Sequence, residues 1–92
     1  MPAASPSLST KATEALAALG AELRQKRRSL KINATAAAEA AGVSRVTLHR
    51  IEAGNPSITV GALTAVAHTL GFRLELMSAN GTAATASRTS QA

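Results

Sequence analysis

The spacing of apolar positions changes once along the chain. Between residues 9 and 71 they recur at helical intervals, and from 72 to 77 they alternate. Ser9 or Thr10 can cap a first helix, whose apolar stripe runs Ala12, Leu16, Leu19, Leu23. Gly20 lies inside it at a cost of about 1 kcal/mol relative to Ala. It marks either a close packing contact or a later helix start, and the helix should end near Ser29. Asn33 is a good N-cap for a short second helix, ATAAAEAA, which Gly42 stops. Ser44 caps a third, Arg45 to Ala53, closed by Gly54, and Asn55-Pro56 signals a turn. Ser57 or Thr59 caps a fourth, with Leu63, Val66, Ala67 and Leu70 inward and Gly71 at its end. FRLELM, residues 72–77, then puts Phe72, Leu74 and Leu76 on one face and Arg73, Glu75 and Met77 on the other. Period two predicts a strand, against a frayed continuation of the fourth helix, because Gly71 breaks that helix. Residues 1–8 read as a disordered arm and 78–92 as a flexible tail, flanking a helical unit over 9–71 and the strand over 72–77.

Composition narrows the chemistry. Ninety-two residues make one small domain with a thin core, which dimerisation would help to stabilise. Phe72 is the sole aromatic residue, and the remaining apolar content favours helices in close contact. Without cysteine there is no disulfide or thiolate metal site, as suits a reducing cytoplasm. All five acids are Glu, so a Ser-His-Asp triad is absent, as is a Gly-rich phosphate loop with its Lys. His49 and His68 stand far apart, whereas a tetrahedral metal site needs converging ligands. No enzyme, metal or cofactor is expected. Ten basic residues against five acidic ones favour a polyanionic partner, nucleic acid first, although basic proteins without such a partner are common. MPAASPSLST has no basic or apolar region of a secretory signal, and no apolar run approaches a membrane span. The expected location is the cytoplasm, on the nucleoid.

Two short helices joined by a tight Gly-containing turn form the helix-turn-helix signature. Wound at helical pitch, the second places Leu48 and Ile51 on one side, with Thr47 and Glu52 at the margins. Val46, His49 and Arg50 fall opposite, with Arg45 at the rim. Arg can bond guanine bidentately and Val can touch a thymine methyl. A lone helix with this face would only be solvated. The capped helix before it and the turn at Gly42 make base reading by Arg45, Val46, His49 and Arg50 the expectation.

INATAAAEAAGVSRVTLHRIEAG, residues 32–54, resembles the lambda-repressor-like, Xre-type helix-turn-helix family, with the likeness spanning about residues 16 to 71. The resemblance implies a mainly α domain of four to five helices. It also implies a buried ion pair between Arg27 and Glu52. Of the cluster RQKRRSLK, residues 24–31, Arg27 then turns inward, while Arg24, Lys26, Arg28 and Lys31 are either phosphate neighbours or solvated. Family members usually carry Thr-Gln where this chain has Asn33-Ala34, so a phosphate there falls to backbone amides. Ser44, Thr47 and the amides around Asn33 and Ala34 are the expected phosphate grips. The loop AGNPS lacks the basic residues common in relatives, leaving its backbone or Asn55.

A lone strand leaves its backbone groups unpaired. A second copy resolves this. In a twofold antiparallel pair centred on Leu74, Phe72 faces Leu76 and Arg73 faces Glu75. Four such helices followed by a dimerising strand resemble the HipB class of antitoxins. That likeness implies a homodimer on a palindromic double-stranded operator, repressing its own operon and binding a HipA-like kinase toxin. Two other readings stand beside it: an autonomous Xre-type repressor, and a protein–protein adaptor on the same fold.

Overall fold

The computed structural model describes residues 7–80, which form four helices. These are α1 (Thr10–Ser29), α2 (Ala34–Ala41), α3 (Arg45–Glu52) and α4 (Val60–Thr69). Residues 1–6 and 81–92, which hold most of the expected arm and tail, lie outside the described residues. Each helix starts with the same device. The side-chain oxygens of Ser9, Asn33, Ser44 and Thr59 accept from the amides of Ala12, Ala36, Thr47 and Ala62, three residues on, at 3.1, 2.8, 3.0 and 3.0 Å. Each cap satisfies an amide that the helix itself leaves unpaired. Gly42 ends α2 in the left-handed region at φ 73°, where its amide bonds back to Glu39 O at 3.1 Å and the chain turns sharply into α3.

The core is built from Leu23 of α1, Ala37 and Ala38 of α2, Leu48 and Ile51 of α3, and Val66, Ala67 and Leu70 at α4. In α2 the inward positions Ala34, Ala37, Ala38 and Ala41 share one helical face. Methyl groups there let α2 pack on both α3 and α4. In α1 the stripe bends from expectation at its start. Leu23 is buried and Leu16 and Leu19 are half-buried, but Ala12 is exposed, because packing on this helix begins only at Leu16.

The segment expected as a strand is not one here. Residues 72–76 carry no regular secondary structure, and Met77 is an isolated bridge position. Among the described residues no backbone hydrogen bond engages residues 73–76, so no ladder forms there. The side chains still alternate over most of the segment. Phe72 and Leu74 pack against the core, whereas Arg73 and Glu75 point to solvent and pair at 2.8 Å across two residues. Leu76 breaks away from the core and is 65% exposed. Lys26 stands over the Phe72 ring, 5.7 Å from its centre, and so holds the start of this segment to α1.

The helix α3 is fixed from behind by α1. Gly20 is buried, and a Cβ there would lie 2.5 Å from the carbonyl oxygen of Ile51 and 2.7 Å from that of Glu52. At Gly54, φ +76°, an added Cβ would lie 2.7 Å from the Cα of Ala17. Beside this contact Arg27 forks onto Glu52. Nε donates to Oε2 at 2.7 Å and Nη2 to Oε1 at 3.1 Å, while Nη1 donates to the carbonyl of Ile32 at 2.9 Å. One guanidinium thus ties α1, the turn before α2 and the end of α3. The hydrogen bond to Glu52 holds the Arg27 pKa above its ordinary value; burial opposes this and the Glu52 charge adds to it. Since the shift is upward, the charge on Arg27 persists across the whole working pH range. Removing one partner of such a pair typically costs about 3–5 kcal/mol, because the other charge is left buried alone.

Gly20→Ala separates two effects of opposite sign. Helix propensity alone predicts a gain of about 1 kcal/mol. The clash with two carbonyls predicts a net loss of about 2 kcal/mol, read as a fall in Tm of roughly 8–16 °C. A raised Tm would show that α1 and α3 do not touch here.

Candidate nucleic-acid interface

α3 divides into a sealed face and an open one. Leu48 and Ile51 are buried in the core, with Thr47 and Glu52 half-buried at the margins. Arg45, Val46, His49 and Arg50 are all exposed on the remaining surface, and Val46 is 58% exposed. No side-chain hydrogen bond or ion pair among the described residues engages Arg45, His49 or Arg50. An exposed valine flanked by unpaired cations gains nothing from the fold around it.

An open groove runs along each side of this face. On the α1 side a cleft of about 660 Å³ is lined by Arg24 of α1, Ala34 of α2, Arg45, Val46 and His49 of α3, and the Arg27–Glu52 pair. On the α4 side a cleft of about 420 Å³ lies between Ser44, Thr47 and Arg50 and the residues Ser57, Ile58 and Thr59. The grooves hold donors of different kinds. On the α1 side they are guanidinium and imidazole groups. On the α4 side they are Arg50 and hydroxyls.

The expected phosphate grips are placed as follows. Asn33 and Ala34 open α2 beside the first cleft, and the Asn33 side-chain oxygen is committed to its cap. Ser44 Oγ accepts from the Thr47 amide and donates to Thr47 Oγ1, both at 3.0 Å. The two hydroxyls therefore share one hydrogen between them and leave one free to donate outward. Asn55 also has a structural role. Its Oδ1 accepts from the Ser57 amide at 2.8 Å and from Ser57 Oγ at 2.6 Å, which shapes the loop. The basic run of α1 splits in space: Arg27 binds Glu52, Lys26 covers Phe72, and Arg24 lines the first cleft. Sequence reasoning left Arg24 and Lys26 undecided and did not single out the hydroxyls of Ser57 and Thr59. Only the juxtaposition of α4 with α3 brings those to the site.

None of the four helices carries an acid in its first turn, and Arg45 sits at the first position of α3. A cation there opposes the helix dipole, an arrangement that a bound anion relieves. Among the described residues no group of three or more His or Glu side chains could hold a metal ion, and no helix is long and apolar enough to cross a membrane.

No curated protein matches the chain. A family model described as a helix-turn-helix domain matches residues 18–79, from the middle of α1 to beyond the 72–77 segment. With more than half of its length so matched, the chain belongs to this helix-turn-helix domain family.

Proposed function

We propose that the protein is a sequence-specific DNA-binding repressor that acts as a homodimer. The observation that carries this is the open face of α3, standing between two clefts that are both lined with donors. A helix lying in a major groove needs base-reading groups at its crest and phosphate partners on both flanks. Arg45, Val46, His49 and Arg50 form the crest. Asn33 and Ala34 serve one backbone through their amides, and the Ser44–Thr47 hydroxyl pair serves the other. In the dimer the 72–77 segments pair antiparallel about Leu74. The backbone groups of residues 73–76 then form a ladder, Phe72 meets Leu76 of the second copy, and Arg73 meets Glu75. Two α3 helices about 34 Å apart would read a palindromic operator.

The narrower form of this proposal is an antitoxin that also binds a HipA-like kinase toxin. It rests on the resemblance of the helical unit plus C-terminal segment to the HipB class. In native mass spectrometry of protein gently purified from its source cells, a dimer carrying a kinase-sized chain supports it. A bare dimer favours an autonomous repressor.

Two substitutions test the proposal. Arg50→Ala should weaken binding to the preferred duplex by about 1–3 kcal/mol and relax the choice of one base pair per half-site. Unchanged affinity and preference in a fluorescence anisotropy series would remove Arg50 from the reading face. Leu76→Glu alters a side chain that the single fold leaves exposed. It should leave the helical circular dichroism signal intact while shifting the sedimentation coefficient to that of a monomer. A variant that remains fully dimeric contradicts strand pairing.

A further inference from the structure

Three cations one helical turn or less apart on α1 have different surroundings. Arg27 is fixed inward on Glu52, and Lys26 lies over Phe72. Arg24 precedes Arg27 by three residues, so it emerges on the same side of the helix one turn earlier. There it lines the α1-side cleft with Arg45 and His49, and its side chain is exposed and has no partner among the described residues. The only acid in the cleft is Glu52, whose two carboxylate oxygens both accept from Arg27. The cleft is open because Ala34, at the first position of α2, puts only a methyl group between the cations. Two unpaired guanidiniums, those of Arg24 and Arg45, and an imidazole therefore line one concavity in which no described residue offers a free counter-charge.

We propose that Arg24 is a DNA-phosphate contact, so that α1 grips the same backbone as the start of α2. This deepens the proposed function and rests on it. The target is a phosphate and not a base, because Arg24 comes from the helix behind α3. With α3 in the major groove, the flank on which Arg24 stands is bordered by a sugar–phosphate backbone. A phosphate seated there would pair with the Arg24 charge, and the DNA would release a condensed counterion.

The test uses the full chain and a labelled mixed-sequence duplex about two turns long, followed by fluorescence anisotropy between about 50 and 200 mM KCl. Arg24→Gln should flatten the dependence of log K on log salt by about 0.9 per bound chain and weaken binding several-fold. Arg24→Lys, which keeps a charge for a phosphate, should retain the slope. Lys11→Gln, exposed near the start of the same helix and more than three turns from Arg24, should leave it as in the wild type. Circular dichroism melting checks that each exposed-site variant keeps the fold. A wild type that binds with a steep slope while Arg24→Gln keeps that slope overturns this inference alone. So does a Lys11→Gln variant that flattens the slope as much as Arg24→Gln. A wild type without salt-dependent binding overturns the proposed function and this inference with it.

Discussion

The crossing of α1 over the end of α3 is the constraint on which the rest of the structure depends. Two glycines set the distance. Gly20 admits the carbonyls of Ile51 and Glu52, and Gly54 admits the backbone of Ala17. At that distance Arg27 can reach Glu52 with two nitrogens and the Ile32 carbonyl with a third. The pair is largely buried, so its net contribution to stability is modest, and its larger consequence is geometric. It fixes the end of α3 and the turn that launches α2 relative to one helix. A recognition surface requires this rigidity, since base contacts tolerate little displacement of the groups that make them.

Once that crossing is set, the charges of the chain fall into separate tasks. Arg27 becomes structural, and Lys26 anchors the chain after α4 through the lone aromatic ring. Arg45, His49 and Arg50 remain outside, and no acid among the described residues pairs with them. The basic excess read from composition is thus not spread evenly over the surface. Part of it is spent inside the fold, and part stands on one face between two clefts. The uncharged loop after α3 fits the same division. Its Asn55 shapes a turn, and hydroxyls rather than cations line that flank.

What the sequence made legible follows the range of each interaction. The caps at Asn33 and Ser44 act within three residues, so residue type and position were enough to place them. The two sides of α3 were legible because Leu48 and Ile51 contrast with Arg and His around the helix. In α2 the contrast is lost. Its inward face and much of its outer face are both alanine, and only packing shows which methyl groups are buried. The 72–77 segment shows a different limit. Its alternation is real for Phe72 to Glu75, but a ladder is a property of two strands, and no second strand lies among the described residues. The separate fates of Arg24 and Lys26 were likewise hidden, since a run of basic residues does not reveal which side of its helix is covered.

The central claim is that α3 reads base sequence as one half of a symmetric pair. Selecting binding sites for the full chain from a random duplex library tests it most directly. Two α3 helices related by a twofold axis should enrich a palindrome whose half-sites are centred about one helical turn apart, roughly 34 Å. Recovery of an unenriched library, or of a single half-site without its mirror, would contradict it.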